Sequence, residues 1–182
     1  YGRKVGYRTK RKGQEKLYNW LRQNPHRLHL GKIGLEMEKD NGRKVIIEDI
    51  TDIEQNLNIW EGVINSSFKV DGNPVKVKTC CHPEEDVVAI SIESSLIAQE
   101  KLSIKISFPY GSPEISAADW SHKDKHRSKI IAADSNKVEW LRILDDDQYF
   151  CSANFSENIK IEGPKRRSFL IQPGKGIKSF KF

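Results

Sequence analysis

The stretch "VINSSFKVDGNPVKVKTC", residues 63–80, decides the fold. Two runs alternate between apolar and polar residues on either side of Asp71-Gly72. In a strand, successive side chains point to opposite faces. Val75 and Val77 therefore face one way, and Lys76 and Lys78 the other. An Asp-Gly pair supplies the left-handed backbone that a tight hairpin turn needs. The pattern predicts strands over 63–70 and 75–80 joined by a short turn.

The same period recurs downstream. Residues 87–94 alternate after a break at Pro83 and the acidic run Glu84, Glu85 and Asp86. In 101–108, Leu102, Ile104, Ile106 and Phe108 share one face, opposite Lys101, Ser103, Lys105 and Ser107. Further strands are predicted over 128–134, 137–145, 148–155, 158–163 and 167–173, and the end "GIKSFKF" alternates as well. This spacing, with Gly, Asn, Asp and Pro as punctuation, predicts an all-β fold: an antiparallel two-sheet β-sandwich of about ten strands. The one helix expected lies within 13–25, where Leu17, Trp20 and Leu21 share a face and Pro25 ends the run. Residues 47–62, "IEDITDIEQNLNIWEG", stay open between a loop with one helical turn and an irregular edge strand.

The chain has 182 residues, enough for one large domain with a real core. Hydrophobic residues are 37% and charged residues 31%, as expected for strands with one solvated face. No run of eighteen apolar residues suggests a membrane helix. The net charge is +6. Much of it sits in Arg3, Lys4, Arg8, Lys10, Arg11, Lys12 and Lys16, with Tyr1 and Tyr7 interleaved. Such an arm suits phosphates, yet it is also what a solvated terminal segment looks like. The remainder is close to neutral, so a nucleic-acid surface over the whole domain is poorly supported. The expected division is a basic segment over 1–23 and a sandwich over 24–182. The first residue is Tyr1 and the single methionine is Met37, so a fragment of a longer polypeptide is expected. Cys80, Cys81 and Cys151 lack CxxC spacing and predict no zinc site.

The densest chemistry lies in "DWSHKDKHRS", residues 119–128. His122 and His126 would share a face on a helix, with Asp119 or Asp124 as a third ligand. Lys123, Lys125 and Arg127 oppose a cation there, and the HExxH pattern is absent. No metal or other cofactor is expected. No G-x-S-x-G elbow occurs, and "PGKGIKS" at 173–179 lacks phosphate-loop spacing. The acidic residues cluster in turns, and none stands out as a raised-pKa acid. Trp60, Tyr110 and Trp120 fall at segment ends, where aromatic rings can stack on sugar faces. Trp120, His122, His126, Asp119 and Tyr110 form the candidate carbohydrate-contact set. The plainer reading makes the tryptophans core and the loop a polar turn.

One family resemblance emerges from "Q-x-L-x-x-W-x-G" at Gln55, Leu57, Trp60 and Gly62. It continues through Asp71, Gly72, Pro74, Val75 and Val77, then Thr79, Cys81, His82, Pro83, Asp86 and the strand "VVAI" at 87–90. This run, in context from about 24 to 130, resembles the amino-terminal β-sandwich of six-hairpin glycosidases similar to glycoside hydrolase families 65 and 95. The resemblance implies a supersandwich-like domain ahead of an (α/α)6 catalytic barrel. It implies that the catalytic carboxylates lie in the barrel, that the sandwich supports it, and that a sandwich loop can reach the rim of the sugar pocket. A glycoside or oligosaccharide partner and a helical domain of the same polypeptide are therefore expected, with a periplasmic or extracellular location consistent with the family. No long amphipathic helices occur here, so no catalytic residue is assigned. An independent carbohydrate-binding module and a polyanion binder using residues 1–16 are the alternatives.

Overall fold

A computed structural model describes residues 2–4, 11–122, 124–165 and 167–182. Helix α1 (Glu15–Leu21) precedes β1 (Lys32–Met37), β2 (Ile50–Asn58), β3 (Val63–Val70), β4 (Asn73–Cys81) and β5 (Val88–Ser94). Helix α2 (Ser95–Ala98) leads to β6 (Leu102–Ser107) and two short strands, β7 (Tyr110–Gly111) and β8 (Ala118–Asp119). Then come β9 (His126–Ala133), β10 (Lys137–Leu144), β11 (Asp147–Asn154), β12 (Ile159–Lys165), β13 (Ser168–Pro173) and β14 (Ser179–Lys181). The ladders run β1-β6-β13-β12, β14-β5-β4-β3-β2, β11-β10-β9 and β7-β8, and every pairing is antiparallel.

The deciding hairpin forms as its sequence requires. Asp71 and Gly72 both take positive φ, 46° and 77°, and Val70 pairs with Asn73. That is a type I′ turn, whose twist matches the flanking strands. The undecided stretch 47–62 realises both of its readings. A 3-10 turn (Ile47–Asp49) leads into β2, an edge strand with a bulge between Thr51 and Glu54. Asp52 sits in that bulge at φ 50°. Strand β1 has no clean alternation, and Gly34 interrupts it; β6 supplies its partner from Lys32↔Ser107 to Met37↔Leu102. Helix α2 starts where Ser94 Oγ accepts from Leu96 N–H at 3.2 Å, and it buries Leu96 and Ile97.

One core joins three ladders. Leu102, Ile104 and Ile106 of β6 and Phe169 and Ile171 of β13 meet Val70, Val75, Ile92 and Phe180 of the five-stranded ladder. Val138 and Trp140 of β10 join the same cluster, with Trp140 5.5 Å from Phe169 between ring centroids. Each such side chain stabilises the fold by about 1.5–3 kcal/mol. The architecture is thus an all-β antiparallel sandwich whose core is shared by three ladders.

The amino-terminal helix forms inside the expected range, but it buries no residue. Leu17, Trp20 and Leu21, the face expected to pack, are all exposed. Part of the basic arm, residues 5–10 with Arg8 and Lys10, lies outside the described residues, as does Tyr1. From Asn24 onward the chain is tied to the body. Asn24 N–H donates to Pro113 O at 2.8 Å, and His29 N–H to Ala117 O at 3.3 Å.

Candidate functional site

The segment from β7 to the first residue of β9 carries all five candidate residues. Its first part is a small hairpin, with Tyr110 opposite Asp119 and Gly111 opposite Ala118. Ala117, buried in that hairpin, sits at φ 52°. A left-handed backbone costs a non-glycine residue about 1–2 kcal/mol, so the surroundings must impose it.

Asp119 organises the turn that follows. It accepts from Ser121 N–H at 2.8 Å and Ser121 Oγ at 2.6 Å, from His122 N–H at 3.2 Å, and contacts His122 Nδ1 at 2.5 Å. The bonds from Ser121 and His122 hold its carboxyl well below the usual carboxylate range. Aspartates often close local turns this way. Trp120 is 44% exposed and meets His29 edge-on at 5.8 Å. Its carbonyl accepts from Arg167 at 3.3 Å. His122 is exposed.

His126 behaves differently. The helical reading, which would set it beside His122, does not apply, because β9 begins at His126 and turns it inward. It is buried, stacks on Tyr110 at 6.1 Å, and its Nδ1 lies 2.7 Å from Arg142 Nη2. Burial, with Arg142 alongside, pushes it down to about 4. Tyr110 donates to Asp145 Oδ2 at 2.5 Å, which raises its phenol pKa. The Lys125 ammonium lies 5.4 Å from the Tyr110 ring centroid.

The residue that sequence reading missed is Arg142. It is fully buried and donates to Ser128 Oγ at 2.7 Å and Pro109 O at 3.2 Å. Its guanidinium also lies 4.8 Å from the Phe108 ring centroid. Among the described residues it has no carboxylate partner. A signal existed: Val138, Trp140, Arg142 and Leu144 share one parity, so a cation falls in an otherwise apolar row.

The loop therefore offers an exposed aromatic face with a polar Asp119–His122 pair at its side. Its perturbed groups owe their shifts to the bonds and burial that hold the loop. Among the described residues, no cluster of three or more His, Cys, Asp or Glu has the arrangement of a metal site. No described helix is long and apolar enough to cross a membrane. Neither a protein-family model nor a curated protein sequence matches the chain.

Proposed function

We propose that this chain is the non-catalytic front sandwich of a carbohydrate-active enzyme of the glycoside hydrolase kind. It supports a helical catalytic barrel of the same polypeptide and offers the 119–122 loop to the rim of the sugar pocket. The observation that carries this reading is the surface. Among the described residues, twenty large apolar side chains are exposed, against eighteen apolar side chains buried. Three of the four tryptophans, Trp20, Trp60 and Trp120, lie on the outside. Trp60 is 99% exposed at the β2–β3 turn, beside Ile59. Exposed apolar side chains in this number, Trp60 foremost, are what a domain that packs against another would carry. At the rim, Trp120 supplies a stacking face and His122 with Asp119 the polar flank, while His126 and Tyr110 hold the loop from beneath.

Turnover assays test the division of labour. The 182-residue chain is expected to hydrolyse no glycoside, whereas the longer gene product does. Glycoside turnover by the short chain alone, or a longer product without a helical domain, overturns the reading. A second reading, an independent carbohydrate-binding module, draws on the half-exposed Trp120. Oligosaccharide titration separates the two. Binding by the isolated chain that disappears in Trp120→Ala favours the module.

A further inference from the structure

Both ends of the candidate loop converge on one guanidinium. Arg142 Nη2 donates to Pro109 O at the loop's start and faces His126 Nδ1 at its end, while Nη1 donates to Ser128 Oγ just beyond. A guanidinium has only donors, so His126 Nδ1 must present its lone pair and the ring must be neutral. The Tyr110 ring, stacked on His126, ties the β7–β8 hairpin to the same point.

We propose that this staple is an acid-sensitive latch: protonation of His126 breaks its contact with Arg142 and loosens residues 110–122, leaving the bonds of Tyr110 to Asp145 and of Arg167 to Trp120 as the remaining ties. The chemistry is direct. A proton on Nδ1 would set N–H against N–H at 2.7 Å between two cations in a buried site. Imidazolium cannot stay there, and the ring must swing out to water. Arg142 cannot yield instead, because guanidinium does not deprotonate at any relevant pH.

The charged and titratable surroundings favour release. From β10 comes Arg142, and from the residue before β13 comes Arg167; both disfavour a charged His126. Asp119 of β8 opposes them but is the smallest contributor, and its carboxylate is engaged by Ser121 and His122. Tyr110 of β7 faces the ring, with its hydroxyl on Asp145 and Lys125 over its own ring. Tyr149 of β11 lies by Arg142, 6.0 Å from guanidinium carbon to ring centroid, and burial keeps its phenol neutral.

The sign follows. His126 titrates normally in the open loop and near 4 in the closed one, so opening gains protons. The open fraction should rise about tenfold per pH unit as pH falls from about 6.5 towards 4, roughly 300-fold in all, and then level off. This device does not depend on what the loop binds.

Hydrogen–deuterium exchange of the intact chain between pH 7.5 and 4, corrected for intrinsic rates, tests it. Peptides spanning 110–122 should lose protection through that window while β6 and β13 keep theirs. His126→Gln, which retains a neutral acceptor, should keep the loop protected at both ends of the range. Arg142→Met should leave the loop open at every pH. An imidazole shift of His126 followed by NMR gives an independent reading if Arg142→Met fails to fold. A His126 pKa near 6.5 with the loop still protected at pH 5, or a pH step that survives in His126→Gln, overturns the proposal.

Discussion

Strands β6 and β2 both carry branched apolar side chains, and these meet opposite fates. Strand β6 places Leu102, Ile104 and Ile106 inward and buries all three. Strand β2 carries Ile53 and Leu57, yet both remain mostly exposed, at 64% and 58%. The difference lies in neighbours. Strand β6 is central, with β1 on one side and β13 on the other, and its inward residues belong to the shared core. Strand β2 is an edge with β3 as its single partner. Alternation tells a chain to be a strand; only a covering layer turns the apolar face into stability.

That contrast can be broken first where it is strongest. Ile104→Ala should cost about 2–5 kcal/mol, read as a lower urea midpoint at unchanged slope, because it opens a cavity in a packed core. A loss below 1 kcal/mol would mean that the two layers are not packed as described. Gly72→Val comes next. It asks whether the β2–β3–β4 region is held by turn chemistry rather than by burial. A β-branched residue at φ 77° should destabilise by about 1–2 kcal/mol, and the exchange protection of β3 and β4 should fall before that of β6.

Smaller effects sharpen the other side. Leu57→Asn should shift stability of the isolated chain by no more than about 0.5 kcal/mol, while lowering the binding of a hydrophobic dye. In a longer chain carrying the proposed helical domain, the same change should destabilise the protein if that domain covers this face. Equal, negligible effects in both settings would argue against that covering. Least of all, Lys69→Ala removes the exposed ion pair with Asp52, 2.9 Å apart, and should change the thermal midpoint by less than its measurement error.

Much of the fold could be read from the sequence, because the signals were local. The Asp71-Gly72 turn and the alternation of 101–108 depend on neighbours in the chain, and both predicted elements formed. Strand β1 could not be read so, since its order comes from β6, far along the sequence. The helix at Glu15–Leu21 showed the converse: an apolar face could be recognised, but nothing in the sequence said whether this chain would cover it. In the candidate loop, the sequence marked a polar turn, and Asp119 and His122 pair within it. The inward turn of His126 was hidden because it depends on where β9 begins and on Arg142 across the ladder. The parity of Arg142 was the clue available, and a charged residue in a buried row deserved to be read as a strut.

Strand β14 bears on how the protein is made. Phe180 is fully buried, stacks on Phe155 at 5.6 Å, and pairs with Ile92 from the middle of the chain. A nascent chain that has emerged only as far as β13 lacks that plug, and Ile92 and Phe155 face an unfilled gap. Synthesis must pass Lys181 and clear the ribosome before the sandwich can close. The five-stranded sheet is therefore expected to fold late, once Phe180 can fill the gap between Ile92 and Phe155.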